Sequence, residues 1–345
     1  MMRTIDIYLP EIFHFLNVFF KLDNTLRFEF RTRNQNIYTF YAELAEDKPY
    51  VMFDLHELSQ DIETNRVDLD DVRTSLIQAG ILELRNSEKI GELINRASSW
   101  QPVIFLFDTN DFILRVVSNI FYPLSKKKEG LKNISLYVSP LILDELMHII
   151  SGVNKQEMIK SPKCLRAIVG IREFSFHYSN KLIKYTLKSH TGGLYTKKLG
   201  DKAIMEDYYS FLESTREKNY SFFFIGADAR FVSWFRSLGV ESIYLDQELE
   251  ILPFIKRPIY VLPQVVYIFA TNFLELKVSS IEAPFKLKFR IYKKSYVSED
   301  PWVLVQLDIS QQMSPGLSDT LYNLEREFRL LRKLRELRGE LNELY

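Results

Sequence analysis

The chain has a single cysteine, Cys164, among 345 residues, and this scarcity excludes several kinds of protein. One thiol cannot form an intramolecular disulfide or supply an all-cysteine zinc site. The sequence also lacks any run of about 18 apolar residues, so no membrane-spanning helix is expected. Its first residues, "MMRTIDIYLPEIFHFLNVFF", place Asp6 and Glu11 among apolar residues, a pattern atypical of a signal peptide. These features predict a soluble, cytoplasmic protein.

An excess of either charge is absent too, because 45 Lys and Arg residues balance 45 Asp and Glu residues. The net charge therefore gives no sign of a nucleic-acid-binding protein, and any basic surface must be local. The motifs of zinc proteases, α/β-hydrolases, dinucleotide-binding proteins and P-loop nucleotidases do not occur. The five histidines are scattered without the spacing of metal ligands. With 46% hydrophobic residues, however, the chain can form a sizeable core.

The residue pattern divides the chain into three regions, which predict an α/β protein with three domains. Residues 1–100 mix strand-like runs such as "TLRFEFRTR" with helical segments, and they predict an α+β domain of unknown role. Residues 101–252 alternate short apolar strands with helices, a pattern typical of a parallel sheet covered by helices on both faces. Residues 253–345 predict antiparallel strands followed by a long amphipathic helix over 317–344.

The predicted terminal helix carries a stripe of leucines. Their spacings are 4, 3, 4 and 3 residues, which is heptad-like: Leu330, Leu334, Leu337, Leu341 and Leu344. Such a stripe either packs on its own domain or joins two copies of the chain, and the sequence leaves both interpretations open. A homo-oligomer formed through this helix is the sharper hypothesis.

The segment "PVIFLFDTNDFIL", residues 102–114, shows an apolar strand that ends on a carboxylate. Five apolar residues precede Asp108, and apolar residues resume at Phe112. Asp is a poor strand former, and burying its charge without a partner costs several kcal/mol. A partner for Asp108 is therefore expected at the end of this strand.

Three further acidic residues are predicted to reach the same edge of the sheet, where ligands of parallel α/β proteins bind. Asp228 follows the strand "SFFFIG", and Asp201 begins the helix "DKAIMEDYYSF". Glu145 lies near the buried side of the helix "SPLILDELMHII", whereas Asp144 points about 100° away from it. Helix capping is the alternative explanation for Asp201 and Asp228, and an ordinary, partly solvated helix position is the alternative for Glu145. A cluster of all four would need a cation, and Mg²⁺ and Mn²⁺ prefer carboxylate oxygens.

At these positions the sequence resembles the PIN-domain nucleases. The segments "FLFDTNDFI", "SPLILDEL", "LGDKAIMEDYYSF" and "FFFIGADARF" occur in the order of that family's motifs, and the resemblance covers residues 102–245. Two features depart from the family pattern: Gly226 replaces a common Thr or Ser, and the acids are more widely spaced than in many compact members. By motif, the residues that match are the four acids Asp108, Glu145, Asp201 and Asp228, with Thr109 and Asn110 beside the first.

The resemblance implies a metal-dependent hydrolysis of phosphodiester bonds, with Mg²⁺ or Mn²⁺ as the cofactor. Asp108 and Asp228 would be direct metal ligands, and Glu145 and Asp201 would act through water or as the base. The expected enzyme is a single-strand-specific endoribonuclease, and its expected partner is single-stranded RNA. Two alternatives stay open: a DNA or structure-specific nuclease with the same acids, and an RNA-binding scaffold with little or no activity.

A polyanionic substrate also requires basic residues near the acids. The segment "KLIKYTLKSHTGGLYTKKLGD" lies directly before and at Asp201, and the strand "FKLKFRIYKK" alternates basic and apolar residues. Either feature suits an RNA backbone, and either is equally typical of a solvated surface. The candidate nucleic-acid contacts are Lys188, His190, Lys197, Lys198, Lys202 and Arg230.

Overall fold

The chain forms two compact units. The computed structural model describes residues 3–8, 23–46, 49–97, 102–126, 133–151, 161–186, 200–280, 286–291 and 304–309, with a few residues between these ranges and within 322–330. One unit combines residues 1–68 with 252–345, and the other comprises residues 69–251. This division differs from the predicted segments 1–100, 101–252 and 253–345, because both flanks contribute to one unit and residues 69–100 join the central one.

The described residues form thirteen strands and ten α-helices. The strands are β1 (Arg3–Tyr8), β2 (Thr25–Arg31), β3 (Ile37–Leu44), β4 (Tyr50–Asp54), β5 (Val103–Phe107), β6 (Ile134–Val138), β7 (Ile183–Tyr185), β8 (Ser221–Gly226), β9 (Glu241–Tyr244), β10 (Phe254–Pro258), β11 (Glu275–Ser280), β12 (Lys286–Ile291) and β13 (Leu304–Ile309). The helices are α1 (His56–Thr64), α2 (Leu69–Gln78), α3 (Ser87–Ala97), α4 (Thr109–Ile113), α5 (Tyr122–Ser125), α6 (Leu141–Ile150), α7 (Pro162–Ser179), α8 (Asp201–Thr215), α9 (Ala229–Ser237) and α10 (Val261–Asn272).

The first unit contains an eight-stranded antiparallel sheet in the order β1-β13-β12-β11-β2-β3-β4-β10. The predicted meander of β11, β12 and β13 is confirmed, since these strands pair in succession. The prediction of separate N- and C-terminal domains is wrong, because β2 pairs with β11 and β4 pairs with β10. Strand pairing between distant segments leaves no local sequence signal, so the two flanks look independent in the sequence.

Helix α10 provides much of the core of this unit, although the sequence pattern predicts only strands in that region. Its residues are buried over the whole length, and Phe269 packs against Phe30 and Phe40 of the sheet, with ring centroids 5.0 and 5.2 Å apart. A helix that is apolar on all sides has no amphipathic periodicity, and this is why the pattern missed it. Pro263 lies in its first turn, where a missing N–H is tolerated.

The second unit contains a five-stranded parallel sheet in the order β7-β6-β5-β8-β9. Strands β5, β6, β8 and β9 confirm the prediction, whereas β7, which lies in the basic segment before Asp201, was not predicted. Every residue of β5 is buried, as its unbroken apolar run predicts. The chain leaves β5 toward β6 and later returns to its other side as β8. The strand order therefore reverses between β5 and β8, which is where open α/β sheets bind ligands.

Arg115 interrupts the helix that the segment "NDFILRVVSNIF" predicts. Its φ of +59° is incompatible with a continuous helix, so α4 ends at Ile113 and a π-helical turn follows over Val117–Phe121. The Arg115 guanidinium donates to the Gln78 carbonyl oxygen at 3.0 Å and to Glu173 at 3.3 Å. These tertiary hydrogen bonds outweigh the local preference for helix.

Glu173 is the centre of this buried polar network. It accepts the Ser118 backbone N–H and hydroxyl, both at 2.6 Å, and lies 3.2 Å from His177 Nε2. Burial alone would raise the pKa of Glu173, but His177, Arg115 and the Ser118 hydroxyl outweigh it and hold this pKa at about 2. The network joins α7 to the turn after α4. It thereby holds the segment that follows Asp108 against α7.

The substitution Arg115→Met is expected to reduce the free energy of unfolding by about 3–5 kcal/mol, because it removes one partner of the buried Glu173 charge. The matched control, Arg216→Met, removes an exposed pair with Glu213 and should cost under about 1 kcal/mol. Urea denaturation measures both. Equal losses of stability in the two variants would contradict the role of Arg115.

The contribution of Glu173 to stability should also depend on pH. Because its folded-state pKa is about 2, this contribution is complete above the unfolded value of about 4.3 and is lost as pH falls toward 2.

Two predictions concern parts of the chain that are only partly described. The terminal helix predicted over 317–344, with its leucine stripe, lies largely outside the described residues, and the oligomer hypothesis stays a prediction. No helix in the described ranges is both long enough and apolar enough to span a membrane.

Candidate functional site

Asp108 stands at the carboxyl end of β5, next to the end of β8. It caps α4 by accepting the backbone N–H of Thr109 at 2.6 Å, and the Asn110 side chain donates to its other oxygen at 3.1 Å. The residue is only 3% exposed. Both donors are neutral, so the charge of Asp108 is buried beside hydrogen-bond donors and without a cation in these contacts.

Asp111 is a second buried carboxylate in the same turn, and the sequence pattern did not single it out. Its Oδ2 accepts the Asp108 backbone N–H at 2.7 Å, which completes a reciprocal capping box. Its Oδ1 is buried without a hydrogen-bond partner. Burial holds the pKa of Asp111 well above its usual range, and the Asp108 charge adds to the rise. The spacing of two acids by three residues at a helix start is the signal that could have revealed this box.

Glu145 reaches the site from α6, on the side of the helix that the sequence pattern predicts. It accepts a hydrogen bond from the Thr109 hydroxyl, and Asp144 beside it is exposed, as expected. This bond connects the second acid to the turn that holds Asp108. The Thr109 hydroxyl therefore orients Glu145, whereas the Thr109 backbone N–H and the Asn110 side chain hold Asp108.

Asp201 and Asp228 lie on the exposed side of the site, and Arg230 connects them. Asp228 caps α9 through the Arg230 backbone N–H at 2.7 Å, so its capping interpretation is confirmed. The capping interpretation of Asp201 is wrong, because Gly200 with φ of +128° precedes α8 as its cap. Arg230 Nη2 lies 3.0 Å from Asp228 Oδ2 and 3.4 Å from Asp201 Oδ2.

Tyr208 of α8 holds the ends of two strands in place. Its fully buried hydroxyl donates to the Phe107 carbonyl oxygen at 2.6 Å and accepts the Ser139 backbone N–H at 3.1 Å. One side chain thus links the last residue of β5 to the residue after β6. Asp201 is the first residue of α8. The Tyr208 contact therefore fixes this helix relative to Asp108 and to the start of α6.

Gly226, the departure from the family pattern, has a steric explanation. A Cβ at this position would lie 2.7 Å from Phe224 Cε1 and 3.5 Å from Asp108 Cβ. The Phe224 ring is fully buried and stacks on Phe235 with centroids 3.9 Å apart, so it has little room to move. A Thr or Ser at 226 would therefore require repacking beside Asp108.

The four acids meet in one cavity of about 440 Å³. Ile113, Leu114, Ile149 and Phe231 supply apolar parts of its wall. The predicted site residues that line it are Asp108, Thr109, Asn110, Glu145, Asp201 and Asp228. The structure therefore brings together all six residues that the sequence placed at the catalytic site.

The electrostatics of the acids differ between the inner and outer parts of the cavity. Burial is the main cause that raises the pKa of Asp108 to about 6, and the Glu145 and Asp228 charges raise it further. Burial also raises the pKa of Glu145, and Asp201 adds repulsion. The Arg230 hydrogen bonds have the opposite effect on the pKa of Asp228 and lower it. Asp108 and Glu145 thus carry an electrostatic cost that Asp228 does not.

The predicted nucleic-acid contacts have mixed outcomes. Lys188, His190, Lys197 and Lys198 lie outside the described residues, so their contacts stay predictions. Lys202 is exposed and lies 3.8 Å from Glu206. Arg230 is engaged with the acids Asp201 and Asp228 rather than presented as a separate basic surface.

The oxygen ligands of these acids are of the kind that a hard divalent cation prefers, but they are not already arranged around a common point. Within the described ranges, no three His, Cys, Asp or Glu side chains form a ready group of metal ligands. Mg²⁺, however, usually keeps several waters and needs only one or two protein carboxylates. Asp108, buried beside like charges, is such a carboxylate, and a cation would relieve the cost that raises its pKa.

Comparisons with protein families and with curated proteins identify no protein similar to this chain. A scan against models of protein families finds no match to this chain, and a search of curated proteins finds no significant similarity. The class that the fold and the site define is a mixed α/β protein with a parallel sheet and an acidic cavity at its switch point.

The substitution Asp108→Asn is expected to stabilise the metal-free protein at neutral and higher pH. The folded-state pKa of about 6 lies above the unfolded value of about 3.9, so ionised Asp108 destabilises the fold once pH rises through 6. The variant should therefore gain roughly 2–3 kcal/mol at about pH 8, and the gain should vanish below about pH 4. Urea unfolding in EDTA measures this, with Asp144→Asn as the exposed control. A gain independent of pH would contradict the assignment.

Proposed function

We propose that residues 69–251 form a PIN-like, metal-dependent nuclease that hydrolyses phosphodiester bonds in single-stranded RNA. In this proposal the parallel sheet is the middle layer of a three-layer α/β/α domain. The observation that carries the proposal is the convergence of Asp108, Glu145, Asp201 and Asp228 on one cavity at the switch point of the sheet. These acids come from four separate segments of the chain, so their meeting does not follow from local structure.

The roles of the acids follow from their positions. Asp108 and Asp228, at the ends of adjacent strands, would hold Mg²⁺ or Mn²⁺, and Asp201 would hold it through water. Glu145 would accept a proton from the attacking water, since its raised pKa makes it a stronger base than an ordinary carboxylate. The cation, when bound, supplies a water of lowered pKa and neutralises charge that develops on the phosphate.

The neutral side chains would keep the acids in position. The Thr109 hydroxyl donates to one oxygen of Glu145, and the Asn110 amide donates to Asp108. Their bonds fix the side-chain rotamers before a ligand arrives, which lowers the entropic cost of assembling the site. The Tyr208 hydroxyl has the corresponding effect on the backbone at the ends of β5 and β6.

The direct test is cleavage of matched, end-labelled single-stranded RNA and DNA in Mn²⁺, Mg²⁺ and EDTA. We expect metal-dependent cleavage of the RNA by the wild type, and a rate at least about 10²-fold lower for Glu145→Gln, because the base is removed. Asp108→Asn should also abolish cleavage. The neighbouring exposed acid provides the matched control, since Asp144→Asn should cleave at the wild-type rate.

Other outcomes would replace the proposal with an alternative. Cleavage of the DNA instead of the RNA would indicate a DNA nuclease that uses the same acids. RNA binding without metal-dependent cleavage would indicate an RNA-binding scaffold. Equal loss of activity in Asp144→Asn and Glu145→Gln would contradict the role of the inward-facing acid.

Arg230 is expected to weaken metal binding, because a cation and this guanidinium neutralise the same two carboxylates. Replacing Arg230 with Gln should therefore tighten Mn²⁺ binding, measured by isothermal titration without substrate. Lys202→Gln is the matched control: it removes a positive charge one residue from Asp201, but Lys202 pairs with Glu206. An unchanged Mn²⁺ affinity in Arg230→Gln would show that the arginine does not compete for the acids.

A further inference from the structure

Two basic side chains of α7 line the same cavity as the four acids. Lys163 and Arg166 are three residues apart in this helix, so they project from one side of its first turns. Lys163 is exposed and Arg166 is partly buried. The cavity therefore has acids at the ends of the strands and cations on its helical wall.

Both cations lie close to the chemistry of the site. Lys163 lines the same cavity as Glu145, the proposed base. The Arg166 guanidinium forms an ion pair with Asp71 of α2 through Nη2. A guanidinium has five N–H donors, and one contact with Asp71 restrains its position without using them all.

A nucleic acid that enters this cavity meets charges of both signs. The phosphate that reacts must lie beside the acids, where it needs a cation. The acids would repel the neighbouring phosphate of the nucleic acid. Lys163 and Arg166 instead offer that phosphate charge-assisted hydrogen bonds. The cavity of about 440 Å³ falls in the size range of sites that hold a nucleotide-sized group.

We propose that Lys163 and Arg166 form a binding site for the phosphate adjacent to the scissile one. The substrate is then a single-stranded polynucleotide with at least two consecutive phosphates, not an isolated phosphodiester. This inference rests on the proposed nuclease function. It also places a contact with the RNA backbone on α7, in addition to the basic segment before Asp201 that the sequence offers as a candidate.

The test compares two substrates in Mn²⁺: a single-stranded oligoribonucleotide and bis(p-nitrophenyl) phosphate, which has only one phosphodiester. Lys163→Gln and Arg166→Gln should each raise KM for the oligoribonucleotide by about 10-fold, the value of one charge-assisted hydrogen bond. The effect on kcat/KM for the small ester should be much smaller, because this ester has no adjacent phosphate. Lys218→Gln is the control, since it removes an exposed charge of the same unit outside the cavity.

Binding of the same oligoribonucleotide in EDTA provides a readout that is independent of cleavage. Each of the two variants should weaken binding, and the slope of log affinity against log salt should fall by about 0.7 for each phosphate that is no longer neutralised. Lys163→Gln is the safer variant for folding, because Lys163 is exposed, and circular dichroism verifies the fold of both.

The possible results separate this inference from the proposed function. Weaker RNA binding by the variants of a protein that does not cleave would overturn the nuclease and support the phosphate site. Cleavage that is unaffected by both variants would overturn the phosphate site and leave the nuclease. An equal effect on both substrates would place the cations at the scissile phosphate and overturn the inference. Absence of both binding and cleavage in the wild type would overturn the two together.

Discussion

A carboxylate buried at the carboxyl end of the central strand is the constraint on which the second unit depends. Asp108 is held by neutral donors, and the energetic cost of its buried charge appears as a pKa of about 6. The position of the strand end must therefore be enforced by other contacts. Asp111 holds the backbone N–H of Asp108, and Tyr208 holds the preceding carbonyl group. The fold tolerates an unfavourable group because many favourable contacts surround it.

The cavity divides into an inner half that is electrostatically costly and an outer half that is balanced. Asp108 is buried and Glu145 is partly buried, and the pKa values of both are raised, whereas Arg230 pairs with Asp201 and Asp228 near solvent. A divalent cation held by Asp108 would relieve the cost of its buried charge, which raises its pKa to about 6. The balance of the outer half by an arginine of the same chain explains how four acids coexist without unfolding this edge of the sheet.

Local sequence patterns were reliable where one segment determines its own structure. The apolar run of β5, the inward face of α6 at Glu145 and the order of the acids followed from periodicity and motif alone. They failed where distant segments compete with local preference. Arg115 breaks a predicted helix because Gln78 and Glu173 bind its guanidinium, and α10 is buried on every side, which removes the periodicity that reveals a surface helix.

The sequence by itself determined the class of the central unit and the acids at its strand ends, because strand period, helix period and capping are local properties. Only the tertiary structure decided which flanking strands share a sheet, that Arg230 pairs with two of the acids, and that Lys163 and Arg166 line their cavity. These relations join residues far apart in the chain. Their energies depend on distance and burial in three dimensions, quantities that the order of residues does not contain.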